Sequence, residues 1–215
     1  MQIIDLTHVV DGTIPVYPGC EAPSLSPATT LETDGFRETL LHLFSHTGTH
    51  MDAPFHLLAN GPSLDKLPVS QFFGRALVVD CTCIPKGGRI PVEQLRPYHT
   101  MLEQAEFILF RTGWDRRFHQ PDYFEGFPVP DASLLELLVA SGIKGVGIDA
   151  ISIDEVSTTT YPNHHILLEH GCMIVENLKN LDQIGTTCQF CALPLLYAQS
   201  DGAPVRAVAI LEEAI

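Results

Sequence analysis

The sequence predicts a mixed α/β (α+β) fold in one domain over 1–215, on three observations. Short apolar, β-branched runs such as Leu77-Val78-Val79 and Val208-Ala209-Ile210 read as buried strands. Between them lies a segment of helical apolar pattern, opened by Asp131 and closed by Gly142. At 215 residues and 45% hydrophobic the chain can bury a sizeable core, and no repeat, linker or low-complexity tract divides it.

In chain order, strands are expected at 3–6, 37–43, 76–80, 107–111, 145–148, 173–175, 188–192 and 205–211. Helices are expected at 91–95, where Pro91 suits the first position, and at 132–141, with Asp131 as N-cap and Gly142 as stop. A third is expected at 164–170, ended by Gly171. Asp149 and Asp154 flank a strand end and read as turn and cap residues. Trp114, the only tryptophan, follows another buried strand and could line a pocket or cover the core. His8, His42, His99 and His119 stand alone and carry no expected chemistry.

Charge excludes several function classes. With 12 Lys+Arg against 26 Asp+Glu and a net charge of -14, the chain lacks the basic face that nucleic acid or an anionic membrane surface requires. No apolar run approaches the roughly 20 residues of a membrane span, and the first residues lack a signal-peptide pattern, so the expectation is a cytoplasmic protein. The Cys188/Cys191 pair lies in an apolar strand pattern whose alternation sends the thiols to opposite faces, and Cys81/Cys83 has the wrong spacing for a zinc ribbon. Reduced, inert thiols are the reading consistent with a cytosolic compartment.

The chemistry concentrates in His46-Thr47-Gly48-Thr49-His50-Met51-Asp52-Ala53-Pro54-Phe55-His56, three imidazoles and a carboxylate within eleven residues. Neutral imidazole with carboxylate is the ligand mixture of Zn, Mn or Fe in sites that activate water. Gly48 and Pro54 exclude a helix, so the segment reads as a bent, strand-like loop. His50 and Asp52, two apart, then point to one side, and Gly48 lets the backbone bring His46 beside them. A second cluster runs from Tyr161 to Leu178 as turn, short helix, Gly stop and buried strand, with Glu176 at the strand end. One carboxylate from each cluster can bridge two metals about 3.5–4 Å apart, with His164 completing the second metal. His165 should point elsewhere, and His170 suits a helix C-terminus.

These residues, with Asp5-Leu6-Thr7-His8, Val16-Tyr17-Pro18-Gly19, Phe110-Arg111-Thr112-Gly113-Trp114, Val146-Gly147-Ile148-Asp149, Ser152-Ile153-Asp154, Glu176-Asn177-Leu178, Ala192-Leu193-Pro194-Leu195 and the block from Gly202 to Ala209, give a resemblance over nearly the whole chain. The sequence resembles the cyclase-like metal-dependent hydrolase family, which includes bacterial kynurenine formamidases. The resemblance implies the swivelling β/β/α fold. It makes His46, His50 and Asp52 ligands of a first metal, with Asp52 reaching a second metal at His164 and Glu176 bridging both. It leaves His56 as the catalytic acid/base, implies two divalent ions per chain (zinc, with manganese the alternative), and suggests a homodimer or higher homo-oligomer. Tyr17 stands where formamidases carry a substrate-stacking Trp, and Cys20 where they carry Asp.

The expected reaction follows from the ligands. A metal lowers the pKa of bound water from about 15.7 towards about 7 and polarises a carbonyl. An imidazole free of both metals, with a pKa near about 6.5, is suited to carry a proton from water to the leaving nitrogen. The expectation is hydrolysis of a small-molecule amide C–N bond, with an aryl formamide such as N-formylkynurenine, an intermediate of tryptophan catabolism, as the substrate. Hydrolysis of a cyclic amide (isatin or a lactam) is the alternative, followed by a cyclase or dehydratase that uses the metals as Lewis acids.

Overall fold

The structure is a computed structural model and describes residues 1–211. In chain order it runs β1 (Gln2–Asp5), β2 (Ser24–Thr29), α1 (Leu31–Asp34), β3 (Glu38–His42), β4 (His50–Asp52), β5 (Phe73–Asp80), β6 (Arg89–Ile90), α2 (His99–Leu102), β7 (Phe107–Arg111), β8 (Val129–Pro130), α3 (Ala132–Ala140), β9 (Gly145–Ile148), α4 (Pro162–Leu168), β10 (Met173–Glu176), β11 (Thr187–Pro194) and β12 (Gly202–Leu211). The fold is mixed α+β, as the sequence predicts.

The main sheet has the order β1-β12-β11-β5-β7-β9-β10-β4, and β4 pairs again with β12. That second pairing closes seven strands into a barrel and leaves β1 as an outer strand. The ten residues of β12 make closure possible: Gly202 to Pro204 pair with β4, while Val205 to Ile210 pair with β11. Strands β5, β7, β9 and β10 are mutually parallel, and the chain between β7 and β10 returns over the outside through α3 and α4.

Strand alternation produces two cores. On β5, Ala76 and Val78 join Phe107, Leu109, Val175 and Phe190 in one buried cluster, while Leu77 and Val79 join Ile108, Phe110, Val146 and the helices in the other. Leu134, Leu135 and Leu138 bury one face of α3 completely, each contributing about 1.5–3 kcal/mol by removal from water. Positive φ at Gly142 (77°) and Gly171 (74°) supports the two expected helix stops.

Some local expectations are corrected. The segment expected as a helix at 91–95 is a 3-10 helix, Val92–Tyr98, with Pro97 inside it; a proline there removes an α-helical donor. Asp131 occupies the N-cap position of α3 but its side chain makes no cap bond. The expected strand at 37–43 exists as β3, yet it pairs only with β2, and Leu40 and Leu41 are 61% and 58% exposed. Its partner β2 escaped the sequence reading because Pro27 interrupts the strand pattern and the register shifts between Pro27 and Thr29. The two therefore form an exposed ribbon outside the barrel. Among the described residues no helix is long and apolar enough to cross a membrane.

Candidate metal centre

Strand β4 is three residues long, fully buried, and held between β10 and β12. The antiparallel register sets Glu176 opposite His50 and Gly202 opposite Asp52. Before β4 the chain turns at Gly48 (φ 66°), where an added Cβ would lie 2.9 Å from Ile14 Cδ1. The Gly48 carbonyl accepts from His50 Nδ1 at 2.8 Å and from Asn177 Nδ2 at 2.9 Å, and Thr49 Oγ1 donates to the Asn177 carbonyl at 2.6 Å. The residue after Glu176 thus fastens the loop that carries His46 and His50. Helix α4 brings His164 in from the outer layer.

Five expected residues converge. His46 Nδ1 lies 2.7 Å from Asp52 Oδ1, and His50 Nε2 lies 3.3 Å from the same oxygen. His164 Nε2 lies 3.6 Å from Asp52 Oδ2 and 3.4 Å from Glu176 Oε1, while Glu176 Oε2 lies 3.5 Å from His50 Nε2. Two overlapping donor sets result, His46/His50/Asp52 and Asp52/His164/Glu176, the donor atoms of each lying within 4.8 Å of one another. The bridging geometry is present in both carboxylates: Asp52 belongs to both sets, and the two oxygens of Glu176 face one imidazole of each.

The donor chemistry fits divalent ions. Asp52 Oδ2 is buried without a hydrogen-bond partner, a costly state for a carboxylate oxygen that a cation would relieve. Each imidazole is also oriented from behind: His50 Nδ1 donates to the Gly48 carbonyl, His164 Nδ1 faces Asp154 Oδ2 at 2.8 Å, and His46 Nε2 faces Asp201 Oδ2 at 3.1 Å. Such outer partners settle which ring nitrogen is free to bind. Burial opposes charge throughout this site, yet the carboxylates prevail. Against that burial Asp52 and Asp201 push His46 up to about 10, and Asp154, Asp52 and Glu176 raise His164 well above its ordinary value. Asp52 in turn is held well below the usual carboxylate range, its burial outweighed by His46, His50 and His164. The cluster demands positive charge, which bound divalent ions would supply in place of protons.

His56 stands beside this cluster in neither donor set. Its ring centroid is 4.0 Å from that of His46 and 6.2 Å from that of His164, and burial lowers its pKa. Its Nδ1 is 3.9 Å from Asp201 Oδ2, and His46, His56 and Asp201 form a third group of close donors. A cavity of about 460 Å³ opens over the cluster and is lined on its apolar side by Val16, Tyr17, Phe44, Leu57, Ile151 and Tyr161. Tyr17 and Cys20 line it, whereas Trp114 is buried in the core with Nε1 donating to the Tyr123 carbonyl at 2.7 Å.

Two carboxylates here went unassigned in the sequence reading. Asp154 is the expected cap, accepting from the Asn163 and His164 amides at 3.1 Å each, but it also holds the His164 ring. Asp201, half-buried, had no local signal beyond a turn-like Asp-Gly; its contacts with the site histidines, His46 and His56, are with residues 155 and 145 positions away. Asp149 lies elsewhere, accepting from the Thr112 and Gly113 amides. His165 and His170 are exposed, bonded to Glu169 Oε1 and the Ile166 carbonyl respectively. His42 is exposed 3.8 Å from Glu21. Cys188 is buried and Cys191 half-buried on opposite faces of β11, with the Cys188 thiol pushed up to about 12 by burial.

The chain is similar to known proteins over nearly its whole length. A kynurenine formamidase of Salinibacter ruber is 33% identical over 214 residues, covering 97% of each chain. An isatin hydrolase A of Labrenzia aggregata, solved bound to benzyl benzoate, superposes with a TM-score of 0.89 at 26% identity over 98% of this chain and 94% of that one. A predicted metal-dependent hydrolase of Bacillus stearothermophilus superposes with a TM-score of 0.79 at 26% identity over 97% of each. The family model described as "Putative cyclase" matches residues 4–155, a span that holds four of the seven clustered histidine and carboxylate residues, so the chain belongs to the cyclase family.

Proposed function

We propose that this chain is a metal-dependent hydrolase of amide C–N bonds acting on an aryl formamide of the N-formylkynurenine type. One observation carries the reading: two His/carboxylate donor sets share Asp52 beside a histidine, His56, that neither set uses. His46, His50 and Asp52 would hold one ion, and Asp52, His164 and Glu176 the other, with zinc the expected metal and manganese the alternative. When bound, divalent ions supply an activated water and polarise the amide carbonyl.

The chain's own residues account for the rest. His56, its pKa lowered by burial, is neutral near pH 7 and can take a proton at a ring nitrogen from the attacking water. It then delivers that proton to the leaving nitrogen, so that formamide and water become formate and amine. Asp201 sits where it can steady both His46 and His56. The apolar wall of the cavity and Tyr17 suit a flat aryl group. The kynurenine formamidase named above supports the formamide reading, and the isatin hydrolase supports cyclic amide hydrolysis as the second reading.

Residues 1–215 are inferred to work as one domain, in the cytoplasm, as a homodimer. Support for the dimer is that Leu40, Leu41, Phe44, Leu195 and Leu196 are large apolar side chains left exposed in the single chain. The decisive experiment is a hydrolysis panel of N-formylkynurenine, isatin and small lactams on zinc- and manganese-loaded protein, with light scattering for the oligomer. Turnover of isatin or a lactam with none of the formamide would replace the first reading by the second.

A further inference from the structure

Tyr161 has φ 45° and ψ 52°, the left-handed region. A bulky side chain in that region is an outlier, because its Cβ crowds the following carbonyl. The residue is held there from both sides: Pro162 follows at the start of α4, and the Tyr161 carbonyl accepts the first helical bond, from His165 N at 3.0 Å. Helix entry alone does not require a tyrosine. Asp154 already caps α4, so glycine or asparagine would serve the backbone better.

What the strained position provides is a ring at the cavity. Tyr161 is half-buried, lines the cavity beside Tyr17, and meets His164 edge-on with centroids 5.9 Å apart. Tyr17, which lines the same cavity, donates its hydroxyl to the Val156 carbonyl at 3.2 Å. The hydroxyl bond holds the Tyr17 ring and the half-buried setting at the start of α4 holds that of Tyr161, so less side-chain freedom remains to be lost when a ligand packs on them.

We propose that Tyr161 is a specificity-determining residue, forming with Tyr17 a two-ring wall on which the aryl group of an aryl formamide lies. This rests on the formamide hydrolase reading and deepens it: the preferred substrates carry a planar aromatic group on the amide nitrogen, and alkyl formamides gain nothing from the wall. Contact of this kind binds ground state and transition state alike, so it acts on KM.

The test compares formanilide with an N-alkyl formamide on zinc-loaded wild type, Tyr161→Phe and Tyr161→Asn, asparagine being tolerant of left-handed backbone. Tyr161→Asn should raise KM for formanilide by about 2- to 12-fold, the span of an aromatic contact, with kcat little changed. It should leave the alkyl formamide, the metal content and Tm at wild-type level, and Tyr161→Phe should behave as wild type. Equal losses on both substrates, lost metal or an unchanged aryl-to-alkyl ratio would overturn the inference while leaving the formamidase reading intact. A wild type inactive on both formamides would overturn both.

Discussion

Asp154→Asn tests how the second donor set is built. Asp154 Oδ1 accepts from the Asn163 amide, and Oδ2 accepts from the His164 amide at 3.1 Å and faces His164 Nδ1 at 2.8 Å. Asparagine keeps one acceptor for Asn163 but turns an N–H₂ towards His164. The His164 amide then loses its partner, at a cost of about 1–3 kcal/mol for a buried donor. The ring can pair with the new donor only by moving its own proton to Nε2, the nitrogen that faces Asp52 Oδ2 at 3.6 Å and Glu176 Oε1 at 3.4 Å. A protonated Nε2 cannot bind a cation. Loss of an orienting partner costs about 10- to 100-fold in metal affinity, or about 1.4–2.8 kcal/mol. Calorimetric titration of metal-stripped protein with zinc should therefore find one site at wild-type affinity and one weakened on that scale, with activity partly restored by excess zinc. Two sites of wild-type affinity, or weakening of the His46/His50 site instead, would refute the reasoning.

Elemental analysis of wild type should find close to two ions per chain, and Asp52→Ala or Glu176→Ala should lose metal together with activity; a fully active Glu176→Ala would sink the two-ion arrangement. His56→Ala should keep its metal and fold while kcat falls about 100-fold or more, and a metal-free variant would make His56 a ligand. Tyr17→Ala should raise KM for an aryl formamide, with Tyr17→Trp tolerated, as kinetics on formanilide will test. Burial outweighs three donors from Thr112 and Gly113 and pushes the Asp149 carboxyl up to about 7. Its unfolded value is about 3.9, so the native state holds this proton more tightly; the contribution is complete below about pH 4 and is lost, by an order of 4 kcal/mol, as pH rises to about 7. Urea unfolding at pH 4.5 and 7.5 should show that loss in wild type and not in Asp149→Asn; equal slopes would remove Asp149 as its source.

Much of the site was legible because its spacing is local. Within the box from His46 to His56, the two-residue period of an extended chain, one glycine and one proline suffice to place His46, His50 and Asp52 together, and they converge on Asp52. Glu176 was legible as the end of an apolar strand. Asp154 was half legible: its capping role is written in the chain next to α4, its hold on the His164 ring is not.

The sequence by itself determined the clustered donor residue types, most buried strands of the barrel and the glycine stops of α3 and α4, since each depends on composition, periodicity or backbone sterics within a few residues. Only the tertiary structure decided which distant groups meet. Barrel closure through β12 brings Asp201 beside His46 and His56, and the same closure places Gly202 so near His46 that an added Cβ would lie 2.5 Å from the ring. The β2/β3 ribbon and the left-handed Tyr161 are likewise outcomes of pairing and packing, where long-range contacts override local preference.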